Sequence, residues 1–160
     1  MAIRTIREDG DEILRKICKP IDAITNNVKS LIADMGETMK SLDGLGLAAP
    51  QIGIIKRLIV INNESKVLAL INPVIISNEG VQLSKEGCLS LPGFCGSVKR
   101  PRKVTVEALN EHGETITVEG EDLLAVILCH EIDHLNGILF KDKATNYHTI
   151  ESKQTSRRGR

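Results

Sequence analysis

Apolar residues recur at helical spacing over residues 25–42, TNNVKSLIADMGETMKSL, where Val28, Leu31, Ile32, Met35, Met39 and Leu42 fall on one face. Thr25, Asn26 and Asn27 each bring a side-chain oxygen suited to an N-cap, so the pattern predicts a helix whose stripe is ordinary core packing. In GLGLAAPQIG, 44–53, three glycines and a proline predict no regular element. KRLIVIN (56–62) and VLALINPVIIS (67–77) read as strands, with Pro73 splitting the second into two or confining it to an edge. KVTVEALN (103–110) and ETITVEG (114–120) alternate on either side of EHG, which predicts a hairpin. A last helix is expected to begin near Glu121, where Glu121 and Asp122 suit the positive end of the helix dipole, and to stop at Gly137. Its middle, LLAVILC, is apolar nearly all round, the mark of a helix buried on every side.

Strands that cluster between helices, instead of alternating with them, imply an α+β fold. The expected architecture is antiparallel or mixed strands packed around the buried central helix. No repeat, linker or shift in composition divides the chain. One domain is expected over residues 1–147, followed by a polar, basic and flexible tail over 148–160.

Composition narrows the function classes. Aromatics make up 2% of the chain, too few to build a base-stacking surface. Lys plus Arg equals Asp plus Glu at 21 each, which argues against a protein held to nucleic acid by phosphate contacts. The local exception is SKQTSRRGR at the end, read first as a solvated tail and second as a contact for an anionic partner such as RNA. The N-terminal MAIRTIREDGDEIL lacks the apolar core of a signal peptide, and no stretch is long enough to span a membrane, so the expected location is cytoplasmic. Cys18, Cys88, Cys95 and Cys129 form neither a CxxC pair nor a disulfide framework; they are expected to be free thiols or metal ligands.

The candidate chemistry lies in CHEIDHLNG, Cys129 to Gly137. His130 and His134 stand four apart and share a helix face. Burying two imidazoles with Glu131 and Asp133 beside them costs on the order of 2–7 kcal/mol per uncompensated group, and a metal ion supplies the compensation. Glu131, turned about 100° from His130, is placed beside the ion's open side and suited to take a proton from water. A catalytic site of this kind usually needs a third protein ligand. A downstream histidine would stand where the chain has Phe140, so the usual long HExxH pattern fails there. Glu151 and His148 are the downstream alternatives of an HExxH metallopeptidase. Cys129 points away from the histidine face, and Cys18 reads as packing. Cys88 in KEGCLSLPG and Cys95 in GFCGS both lie in turn-forming sequence; Cys88 is the better anchored, between Gly87 and Ser90-Leu91-Pro92. On the same face as the histidines, Leu123, Val126 and Ile127 can line an apolar pocket with Leu45, and Gly46 can let an extended peptide approach closely.

GLGLAAPQ (44–51), EGCLS (86–90) and HEIDH (130–134), in this order and spacing, resemble peptide deformylase over roughly residues 1–145. The resemblance implies that Cys88 completes a Cys-His-His site for one divalent ion, Fe²⁺ first, with Zn²⁺, Ni²⁺ or Co²⁺ also accepted. It implies removal of formyl from N-formyl-methionyl nascent polypeptides, with Glu131 moving the proton. Gln51 and the Leu89 N–H would stabilise the developing oxyanion, and Glu86 would join Leu45, Gly46, Leu123, Val126 and Ile127 as substrate-binding residues. A monomer is expected, with ribosome contact through the basic tail. Two departures stand out. Cys95 occupies a position where many relatives carry Arg, and the chain ends without the long C-terminal helix of some members.

Overall fold

A computed structural model describes residues 2–150. The elements are α1 (Asn26–Ser41), β1 (Gly46–Ala48), β2 (Leu58–Asn63), β3 (Lys66–Glu79), β4 (Gln82–Cys88), β5 (Leu91–Arg100), β6 (Lys103–Leu109), β7 (Thr115–Glu121), α2 (Leu123–Leu135) and β8 (Thr145–Thr149). Five strands form one antiparallel sheet in the order β1-β2-β3-β6-β7, and three form a second in the order β4-β5-β8. The fold is α+β.

The first helix follows its pattern. Thr25 is the N-cap and its hydroxyl accepts from the Val28 N–H, while Val28, Leu31, Ile32, Met35 and Met39 are buried against β1 and β2. The β6–β7 hairpin forms with Leu109 opposite Thr115. The second helix starts later than its pattern implied. Glu121 is still the last residue of β7, paired with Lys103, and Asp122 turns the chain at φ 52 before Leu123 begins α2. Gly137 stops it as expected, in a left-handed conformation at φ 73. From Ala125 to Leu135 every residue of α2 except Asp133 is buried.

Pro73 does not split its strand. β3 runs on for 14 residues, pairing with β2 as far as Ile71 and with β6 from there on. The register shifts between Ile71 and Val74, so Pro73 falls in a bulge where no ladder N–H is required. Asn72 carries the bend at φ 53, and its side chain both donates to and accepts from the backbone of Ile21, at 2.9 and 2.8 Å.

Two further expectations are corrected. GLGLAAPQIG is not irregular: Gly46–Ala48 pairs with Ile59–Ile61, and Ala49–Ile52 forms a 3-10 turn. The glycine-rich stretch around Cys88 is likewise strand, because β4 and β5 form a hairpin that accepts Gly87, Pro92 and Gly93 along its length. β8 also carries the fold past residue 147: His148 and Thr149 pair with Cys95 and Phe94. Glu151, Lys153, Arg157, Arg158 and Arg160 lie outside the described residues. Among the described residues no helix is long and apolar enough to cross a membrane.

Candidate metal centre

The fold brings three ligand atoms together from two elements. Cys88 ends β4, and its Sγ lies 3.3 Å from His134 Nε2. Cys88, His130 and His134 each offer an atom within 4.8 Å of the other two. Strand period supplies the next layer. Glu86 lies two residues before Cys88, on the same face of β4, and its Oε1 accepts from His130 Nδ1–H at 2.9 Å. That bond fixes the tautomer and leaves Nε2 facing the site. Arg100, on the neighbouring β5, holds the carboxylate with two hydrogen bonds of 2.9 and 2.8 Å and reaches Asp133 at 2.7 Å. The His130 ring stacks on Phe140, the residue that stands where another HExxH pattern would have a ligand, with ring centroids 6.1 Å apart.

Electrostatics fit this pocket to a cation. Burial pushes His130 down, but its hydrogen bonds with Cys88 and Glu86 outweigh that and raise it to about 10. His134 moves the other way, well below its ordinary value, because it is buried and faces the charge on His130. Burial pushes Glu86 up, but Arg100 and His130 hold it down at about 2. A divalent ion held by Cys88, His130 and His134 would meet one sulfur and two nitrogen donors, a set suited to Fe²⁺, Zn²⁺, Ni²⁺ or Co²⁺.

Glu131 completes the constellation. It is 5% exposed, and its Oε1 is buried without a hydrogen-bond partner. Burial pushes its carboxyl up to about 7, against the pull of His130. A carboxyl poised near neutrality beside an ion site is suited to accept and return a proton. Gly46 makes room for it: a β-carbon there would stand 2.8 Å from both Glu131 Cγ and Oε2. Gln51 is also fixed. Its Oε1 accepts from the Ala48 N–H at 2.9 Å, and its Nε2 donates to Ser90 Oγ at 3.1 Å and reaches Cys88 Sγ at 3.5 Å.

Gly46, Gln51, Glu86, Cys88, His130 and Glu131 open onto one cavity of about 390 Å³, with His134 buried behind them. Leu45, Gly46, Leu89, Leu123, Val126 and Ile127 line it, with Leu45 and Leu123 half-exposed at its rim. Gly93 and Phe94 of β5, with Ile150 just past β8, add a wall that the sequence pattern did not indicate. Glu86 also lines the cavity, and both its oxygens are engaged by Arg100 and His130. The sequence pattern assigned Arg100 no role and Ser90 only a place in a turn. Arg100 sits in VKRPRK, where nothing distinguishes a buried guanidinium from its exposed neighbours. Of the other cysteines, Cys18 and Cys129 are buried and raised to about 11 by that burial, and Cys95 pairs with His148 away from the site.

The family model described as polypeptide deformylase matches residues 3–149. The chain belongs to the polypeptide deformylase family. A peptide deformylase of Acetivibrio thermocellus is 57% identical over 158 residues, which cover 99% of this chain and 92% of that protein. One from Thermoanaerobacter pseudethanolicus is 53% identical over 96% of this chain and 97% of its own length. Among solved structures, a peptide deformylase from Legionella pneumophila matches with a TM-score of 0.87 at 44% identity, covering 98% of this chain and 92% of that one. The Thermotoga maritima peptide deformylase matches at 0.88 and 38% identity, over 91% and 99%. As a family member the chain is a metal-dependent hydrolase, and the downstream-ligand peptidase reading is not favoured.

Proposed function

We propose that this chain removes the N-formyl group from the N-terminal formyl-methionine of newly made polypeptides and releases formate. One observation carries the reading: a Cys-His-His donor set meets an apolar cavity through Cys88 and His130, beside the unpartnered, buried oxygen of Glu131. Cys88, His130 and His134 would hold the ion, for which Fe²⁺ is our choice. When bound, such an ion polarises the formyl oxygen and acidifies water.

The protein's own residues do the rest. Glu131 takes a proton from the attacking water and delivers it to the amine that leaves, so the C–N bond is replaced by C–O and N–H. As the formyl carbon becomes tetrahedral, its oxygen gains charge. The Gln51 amide and the Leu89 N–H are our donors for it, the former by giving up its long contact to Cys88. Leu45, Leu123, Val126 and Ile127 receive the methionine side chain, and Gly46 lets the peptide backbone come close. We read α2 as the central helix that fixes all of this to both sheets. We place the activity in the cytoplasm, on nascent chains, with the protein a monomer and its C-terminal basic residues touching the ribosome.

The test is formate release from a short N-formyl-methionyl peptide by anaerobically prepared, iron-loaded protein. Rapid release is expected. No release from protein carrying one ion per chain would contradict the proposal.

A further inference from the structure

A second set of chemically capable side chains lies outside the metal centre. Cys95 on β5 and His148 on β8 are cross-strand partners, with Cys95 Sγ 3.3 Å from His148 Nε2. His148 Nδ1 lies 2.6 Å from the backbone oxygen of Asn146. A carbonyl can only accept, so Nδ1 carries the ring hydrogen and Nε2 holds the lone pair. The Cys95 S–H therefore donates to Nε2. A thiol, a base within hydrogen-bond reach and a third group that orients the base make up the constellation of an activated nucleophile. Neither residue belongs to the metal-ligand group.

Access separates this thiol from Cys18 and Cys129, and the metal-ligand group separates it from Cys88. Cys95 is half-buried and His148 exposed, whereas Cys18 and Cys129 are buried and Cys88 is packed against His134. Neither residue lines the cavity, although Phe94 and Ile150 beside them in sequence do.

We propose that Cys95 is a modification site, a thiol that His148 activates for exchange with low-molecular-weight disulfides. Cys95 gives its proton to His148 Nε2, and its sulfur attacks one sulfur of the disulfide. The S–S bond of the reagent breaks as the new one forms. The departing thiolate takes the proton from His148, leaving a mixed disulfide on Cys95 and one small thiol in solution.

Zinc-loaded, full-length protein incubated with glutathione disulfide, with the adduct located by peptide mass mapping over time, tests this. The first adduct is expected at Cys95, at a rate at least tenfold above that in His148→Gln. Adding free imidazole to His148→Ala is expected to restore part of the rate, which a merely structural histidine would not allow. In the wild type alone, Cys95 is expected to react faster folded than in urea. An adduct appearing first on another cysteine, equal rates in wild type and His148→Gln, or equal rates folded and unfolded would overturn the proposal.

Discussion

At the scale of single residues, the site depends on close approaches as much as on ligands. Gly46 is the clearest case. A methyl group there meets Glu131 at 2.8 Å, so Gly46→Ala must displace the carboxylate or the strand. Misplacement of about 1 Å at a reacting group typically costs about 100-fold in rate. We expect kcat to fall by about that factor while the bound metal is kept, as checked by steady-state kinetics and metal analysis on one preparation. Glu86 gives a second residue-scale expectation. Its carboxyl is held at about 2 in the fold, against an ordinary value of 4.5. Its contribution is thus fully present above about pH 4.5 and is lost as pH falls from there toward 2. For this buried group the contribution is on the order of 3 kcal/mol. Urea melts across that window should show wild-type stability falling steeply on acidification. Glu86→Gln should be less stable at pH 7 and shallower in slope; parallel curves would contradict the assignment. The residue scale is also where the sequence was hardest to read beyond its motifs. HEIDH announced His130, Glu131 and His134 through helical spacing. Nothing near Arg100 announced that it alone of its basic cluster turns inward to hold Glu86.

At the scale of elements, both helices were legible, α1 through an apolar periodicity over several turns and α2 through its continuous apolar run and the spacing of His130 and His134. β4, β5 and β8 were not. Gly87, Pro92 and Gly93 mimic a loop, and what makes these residues strand is pairing with distant partners such as His148, which no local pattern contains. β3 shows the opposite error. Pro73 signals a break, yet the strand changes partners there and the bulge absorbs the missing N–H. Asn72 sustains that bulge through a left-handed backbone and two hydrogen bonds to Ile21. Asn72→Ala loses both features and should destabilise by about 1–3 kcal/mol. Asn72→Gly keeps the backbone freedom and should cost less. Chemical denaturation of the two variants checks the order.

At the scale of the whole molecule, the fold joins a strand end, a buried helix and a glycine-containing edge strand around one cavity. Cys88 and His130 are far apart in sequence, and only the hairpin β4–β5 laid against α2 brings thiol and imidazoles together. The motif order made this legible through resemblance; residue spacing alone left Cys95 open as the alternative ligand. Cys88→Ala should therefore lose tightly bound metal, whereas Cys95→Ala should retain it, as read by metal content after gel filtration. The central claim is that the ion is held by Cys88, His130 and His134 while Glu131 moves the proton. The most direct test is to measure metal content and formate release together on Glu131→Gln. We predict about one ion per chain and a rate reduced by about 10²–10⁴. Wild-type turnover in that variant, or loss of its metal, would contradict the account.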